Sequence, residues 1–238
     1  MKIAVCLSGQ LRTGVKTATN IKSYLGKLLP DCDFFVHTWN KESIGRFDEL
    51  SNPGAHNMPL FDVDKIKVSE FYSAYDPVTM SVDDYELRSK DGDYISMFHS
   101  IYLSNKFKKD YEDRYNFKYD YVIRMRPDII FHESKSLEED LLLVNNNTFF
   151  YADFHNRNLG EKNLEDIFWI ATSDVMDYIT NFYHIRGKSI ARNHDIDWQE
   201  HMALWIRYST GYRFNRLPNS RMRPYRQSEV NTNIGLIV

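Results

Sequence analysis

Apolar residues come in short, dense runs near the start of the chain. Lys2 to Leu7 (KIAVCL) is apolar and partly β-branched and closes on Ser8-Gly9, the pattern of a strand buried on both faces of a parallel sheet. From Thr17 to Leu29 the apolar positions Ile21, Leu25, Leu28 and Leu29 fall close to helical spacing, and Pro30 stops the run. Cys32 to Trp39 (CDFFVHTW) returns to strand-like density. Strand, helix and strand in this order predict the opening βαβ unit of an α/β fold.

Beyond Lys41 the pattern loosens. Asn52-Pro53-Gly54 marks a loop, and Asp62 to Tyr72 (with DKIKVSEF) reads as containing a short strand. Met97, Ile101, Tyr102, Asn105 and Lys108 then fall at helical spacing, so Tyr94 to about Tyr115 is expected to be a long amphipathic helix with Asp93 as its N-cap. Tyr119 to Phe131 (YDYVIRMRPDIIF) is the strongest strand signal in the chain. Thr148–Phe154 and Phe168–Ala171 read as short strands, and Ser173–Phe182 and Trp198–Tyr208 as helices. From Asn215 the tail carries Arg216, Arg221, Arg223 and Arg226 among Pro, Asn and Ser, and reads as irregular and basic.

With 238 residues, no internal repeat and no linker, the chain is expected to form one domain spanning 1–238. A net charge of −3 argues against generic nucleic-acid or anionic-membrane binding, which shows as a basic excess. No segment approaches the ~20 apolar residues of a membrane span, and the first ten residues lack the pattern of a signal peptide. The expected location is therefore cytoplasmic. Aromatic residues make up 15% of the chain; most can be assigned to core filling, and the others offer stacking platforms for nucleobases or sugar rings. Cys6 and Cys32 have no spacing that suggests a disulfide framework or a zinc site.

Strand alternation would place Arg124, Arg126 and Asp128 on one face near the C-terminal end of YVIRMRPD, with Pro127 able to disturb the parity. Two readings stand side by side: a closed ion-pair network, or an opening onto a crevice that holds an anion or a metal–anion pair, as strand ends in α/β sheets do. The first strand ends toward the same place. Ser8, Gly9, Gln10 and Arg12 lie on a loop where backbone N–H groups and a helix N-terminus can meet a ligand. Gly9 and Gly14 have the spacing of a P-loop, but Val15 intrudes before Lys16 and would turn that lysine away.

IAVCLSGQLR, DFFVHTW, MFHSIYLSNKFKKDYE, YDYVIRMRPDI and EDIFWIATSDVMDYI together resemble a family of small glycosyltransferases found in bacterial polysaccharide clusters and in viruses. The resemblance implies a GT-A-like three-layer α/β fold, with a mainly parallel mixed central sheet flanked by helices. Residues 1–131 would bind the nucleotide sugar, and 132–238 would supply the acceptor part and basic tail. By that resemblance Ser8, Gly9, Gln10 and Arg12 line the nucleotide pocket. Arg126-Pro127-Asp128 takes the place of the Asp-x-Asp motif that holds Mn²⁺ or Mg²⁺ with the donor diphosphate. Arg126 stands where the first acid is expected, so Asp128 is the one candidate metal ligand in the block. Alternatively Arg124 or Arg126 neutralises the diphosphate directly. His37, ending the second strand, would face the donor edge or make a satisfied polar contact there, and Ser100 and Asn105 are further donor candidates.

Inverting transfer needs a base for the acceptor hydroxyl, and leaving-group charge must be met by metal or arginine. Asp166 (with Glu165) and Glu200 are the candidate bases, with Asp153 third; each could equally be a surface or capping acid, and a retaining enzyme needs no such base. Of the true Asp-x-Asp pairs, Asp31/Asp33, Asp62/Asp64 and Asp91/Asp93 suit solvated or capping roles. Asp195/Asp197, preceded by His194, is either a functional pair or a helix cap with Glu200 as its N3 acid. Arg221 to Arg226 would form either a lid or a solvated end. The expected activity is sugar transfer from a nucleotide-diphosphate donor to a glycan or other hydroxyl acceptor. The alternatives are a catalytically silent nucleotide- or glycan-binding domain and a P-loop-like kinase or sulfotransferase.

Overall fold

The computed structural model describes residues 1–43, 60–85, 93–131, 137–152, 167–184, 202, 212–217 and 222–224. Strand β1 (Ile3–Ser8) is buried at every position, as its unbroken apolar run requires. It pairs in parallel with β2 (Cys32–Trp39) on one side and β6 (Tyr121–Met125) on the other, and β2 pairs in parallel with β5 (Thr79–Asp83). Beyond β6, strand β9 (Phe168–Ala171) runs antiparallel both to β6 and to β8 (Thr148–Tyr151), and β10 (Arg213–Arg216) closes the edge parallel to β8. The seven strands stand in the order β10-β8-β9-β6-β1-β2-β5. The protein thus has an α/β fold with a mixed, largely parallel sheet.

Helices cover both faces. Helix α1 (Gly14–Leu25) buries Thr17, Ala18, Ile21, Tyr24 and Leu25 along one stripe and ends at Gly26, whose φ of 54° suits glycine. A 3₁₀ turn, Gly26–Asp31, carries the chain past Pro30 into β2. Gly14 is held by close approach: a Cβ there would lie 2.7 Å from the Phe71 ring. Ile3, Val5 and Leu7 pack with α1 and with Phe71 and Tyr75 of α2 (Lys65–Tyr75), while Ala4 and Cys6 face the opposite layer. That layer holds Phe98 and Ile101 of α3 (Asp93–Tyr115) and Val175, Met176 and Ile179 of α5 (Ser173–Thr180). A short helix, α4 (Leu137–Leu141), precedes β8 in the chain.

Three expectations need correction. The strand read within 62–72 is helix α2. Its alternation was deceptive, since the buried residues are Phe71 and Tyr75, four apart, and Asp64 caps the helix by accepting from Lys67 N at 2.8 Å. The run 119–131 divides at Arg126-Pro127-Asp128 into β6 and β7 (Ile129–Phe131), and β7 leaves the main sheet to pair with β11 (Met222–Pro224). The tail is not wholly irregular, because β10 and β11 gain order from partners distant in sequence. A smaller pair, β3 (Lys41–Ser43) with β4 (Leu60–Asp62), adjoins β2 in the chain. The loop at 52–54 and the helix expected at 198–208 lie outside the described residues, except Met202. No described helix is long and apolar enough to cross a membrane.

Candidate functional site at the strand ends

From β1 the chain steps outward to β2 and β5, then crosses back through α3 to place β6 on the other side of β1. The strand order therefore reverses between β1 and β6. Connections there leave in opposite directions and open a crevice at the C-terminal strand ends. Register aligns those ends: Ser8 lies opposite His37, Cys6 opposite Arg124, and Trp39 opposite Asp83. Cys6 and Phe35 face α3, so side-chain parity sends Ser8, His37, Trp39, Asp83 and Arg124 to that face too.

Arg124 is almost wholly buried; its Nε donates to Ser8 Oγ at 2.7 Å, and its guanidinium lies 5.0 Å from the centre of the Trp169 ring. Gly9, at φ 120°, turns the chain out of β1 in a conformation that side chains resist. Its N–H donates to Ser100 Oγ at 2.9 Å, fastening the turn to α3.

A second group forms where the β6–β7 turn meets the loop before α1. Asp128 is fully buried and accepts from Arg126 through Nε at 2.8 Å and Nη2 at 2.6 Å, and from Arg12 Nη1 at 3.1 Å. Arg12 Nε also donates to Gln10 Oε1, and its Nη2 to Ser43 Oγ, both at 3.0 Å. Gln10 Oε1 accepts from the Ser43 N–H as well. The bidentate fork on Asp128 and the contacts of Arg12 fix both guanidinium planes before any ligand arrives.

Two imidazoles lie toward β5. His37 Nε2 is 3.3 Å and His99 Nε2 3.7 Å from the same atom, Asp83 Oδ2, while Asp83 Oδ1 accepts from Ser81 Oγ at 2.7 Å. Burial pushes the Asp83 carboxyl up, but the Ser81 hydroxyl and the two imidazoles outweigh it, so Asp83 sits below the ordinary carboxylate range. His37 Nδ1 bonds Ser100 Oγ at 2.8 Å. His37, Asp83 and His99 bring one ligand atom each within 4.8 Å of one another, an arrangement that could coordinate a divalent cation.

Ser8, Gly9, Gln10, Arg12, His37, Arg124, Arg126 and Asp128 all lie at this edge. Arg124, however, is bonded to Ser8 on the α3 face, while Arg126 and Asp128 pair with each other and with Arg12, because β6 ends at Met125 and the chain turns. Asp128, expected as the metal ligand, has both carboxylate oxygens bonded by guanidinium groups. Asn105 bonds Asp177 at 2.8 Å, away from the strand ends, and Lys16 is exposed. Asp33 accepts from Tyr119 Oη at 2.6 Å, and Asp62 pairs with Lys41 at 3.5 Å. Asp153, Glu165, Asp166, Glu200, Asp91, Asp195, Asp197, Arg221 and Arg226 lie outside the described residues. Asp83, His99, Ser43 and Trp169 join the site without having been singled out from sequence. The adjacency of His99 to Ser100 on the long helix was the one available signal.

No family model and no curated protein matches the sequence. Among solved structures, the chain is similar to the apo-form glycosyltransferase GlyE of Streptococcus pneumoniae TIGR4, with 11% sequence identity and a TM-score of 0.45; the likeness covers 90% of this chain and 44% of that one.

Proposed function

We propose that the protein is a glycosyltransferase of GT-A-like architecture that moves a sugar from a nucleotide-diphosphate donor to a glycan or other hydroxyl acceptor. The observation that carries this reading is the convergence of the Gly9 turn, the Ser8–Arg124 bond and the Arg12–Asp128–Arg126 fork at the strand ends where the sheet order reverses. A backbone turn beside a helix N-terminus and pre-oriented guanidinium groups suits a diphosphate, which accepts bidentate bonds and leaves with negative charge. In this reading Arg126 and Arg12 neutralise the diphosphate and Asp128 holds them in position. Ser8, Gly9 and Gln10 approach the nucleotide, and Trp169 backs Arg124. Residues 1–131 form the donor half, and the acceptor half from 132 onward supplies the base, with Asp166 or Glu200 as candidates. Two guanidinium groups on Asp128 disfavour a cation at the same oxygens, so the reading places leaving-group stabilisation on arginine.

A thermal-shift series with UDP, GDP, their sugar conjugates and ATP tests it. A ligand at a hundred times its Kd adds about 2.7 kcal/mol to stability, a rise of about 5–10 °C for a domain of this size. Stabilisation by UDP or GDP compounds, together with slow hydrolysis of one sugar donor, is the expected result. Stabilisation without hydrolysis or transfer would assign a silent binding domain, and a preference for ATP would overturn the donor class.

A further inference from the structure

We propose that His37, Asp83 and His99 form a binding site for one zinc-class transition-metal ion, separate from the arginine group and independent of the sugar-transfer reading. Each ligand comes from a different element: His37 from β2, Asp83 from the last position of β5, and His99 from α3. Ligands about 2.0–2.1 Å from a tetrahedral centre stand about 3.3 Å apart. The separation from Asp83 Oδ2 to His37 Nε2, 3.3 Å, matches that spacing, and that to His99 Nε2, 3.7 Å, exceeds it. All three ligand atoms lie within 4.8 Å of one another, so an inward movement of His99 would close the site.

The surroundings divide the carboxylate's work. Ser81 occupies Oδ1, and Oδ2 is the oxygen turned toward both imidazoles. His37 is oriented through its other nitrogen by Ser100 Oγ, the kind of outer contact that fixes a ring for ligation. Ser100 is itself anchored by the Gly9 N–H. Trp39 lies edge-on to His37 with centroids 4.9 Å apart, and Tyr183 stands 5.0 Å from His99, so aromatic walls limit ring rotation. Both histidines are buried whereas Asp83 is one-third exposed, which gives the ion a way in beside the carboxylate. Two imidazoles and one carboxylate suit Zn²⁺ or Co²⁺ better than Mg²⁺ or Ca²⁺, which prefer all-oxygen shells. Three protein ligands leave a fourth position for water or a ligand oxygen.

The test uses the chelator-treated full chain without nucleotide, titrated calorimetrically with ZnCl₂ and MgCl₂ and followed by visible absorption with CoCl₂. The expected result is one equivalent of Zn²⁺, Co²⁺ bands of tetrahedral type, and no comparable Mg²⁺ binding. Asp83→Ala should weaken Zn²⁺ binding by at least about 10- to 100-fold, the range lost with even an outer contact. His99→Gln should act in the same direction, and Asp128→Asn should leave Zn²⁺ affinity unchanged. Circular dichroism confirms that each variant is folded; the exposure of Asp83 makes its variant the safer of the two ligand changes. Absence of one-equivalent Zn²⁺ and Co²⁺ binding, affinity unchanged in Asp83→Ala, or affinity lost in Asp128→Asn alone would each overturn the proposal. Because no nucleotide enters the titration, failure of the sugar-transfer reading leaves these outcomes intact.

Discussion

Helix α3 carries polar residues on its buried side at two levels, and the two differ in kind. At the lower level Lys108 is fully buried, and its ammonium donates to Glu112 Oε2 at 2.9 Å, to Asp177 Oδ1 at 2.7 Å and to Ser173 Oγ. Those three bonds use all the donors a lysine has. Glu112 in turn accepts from Ser173 and from the Tyr119 N–H, and Asp177 accepts from Asn105. Lys109 and Lys118 add outer ion pairs to the same acids, so three lysines meet Glu112, Asp174 and Asp177. At the upper level the helix offers His99 and Ser100 to strand ends that carry His37, Asp83, Ser8 and Arg124. The lower group ties α3 to α5 and to the segment just before β6. The upper group brings imidazole, hydroxyl and guanidinium chemistry to the place where α/β sheets open. A groove of about 440 Å³, lined among others by Tyr102, Lys109, Lys118 and Tyr178, lies over the lower group. The chemistry of the side chains and the strand polarity set the upper level apart from the lower one.

The sharpest way to separate the levels is Lys108→Met. Removing one partner of a fully buried pair takes from Glu112 its nearest cation and leaves only the longer contact to Lys118 at 3.8 Å, at an expected cost of about 3–5 kcal/mol. Urea denaturation measures that loss, and nucleotide affinity at the upper level should stay unchanged. A Lys108→Met protein as stable as wild type would show that the lower group is not closed.

Arg126→Ala is the matching change at the upper level. On the proposed donor reading, loss of charge-assisted bonds to a diphosphate should cost about 1.5–3 kcal/mol of binding, roughly a 10- to 150-fold rise in the Kd of UDP or GDP by calorimetry. Arg12 remains to compensate Asp128, so stability should fall by less than binding does. A large drop in melting temperature with unchanged affinity would make the Arg126–Asp128 pair a structural one.

The smallest effect belongs to the exposed rim of the lower group. The Lys118 hydrogen bond is the main cause holding the Asp174 carboxyl below its ordinary range. Its folded pKa is depressed, so the stabilisation is present above the unfolded carboxylate range and is lost as pH falls through the folded value. Both side chains are largely solvated, and Asp174→Asn should remove no more than about 0.5 kcal/mol at pH 7 and nothing at strongly acidic pH. Urea midpoints at the two pH values check this. A loss comparable to that of Lys108→Met would mean the rim is not screened by solvent.

Legibility followed the reach of the interactions. Strand β1, helix α1 and strand β2 could be read directly because their burial pattern is uniform or periodic over consecutive residues. Helix α2 was misread because its two core contacts, Phe71 and Tyr75, are sparse among residues that mimic alternation. The C-terminal strands were invisible because β10 and β11 owe their order to β8 and β7, far away in the chain. The amino-acid sequence alone determined the α/β class, the buried first strand, and the placing of Ser8, Gly9 and Arg124 at strand ends, since side-chain periodicity and the position of glycine are local properties. Only the tertiary structure could decide that Asp128 pairs with Arg12 and Arg126 but Arg124 with Ser8. Only it could bring His99 to His37 and Asp83, because strand order, register and the crossing of α3 set those distances across the sheet and not along the chain.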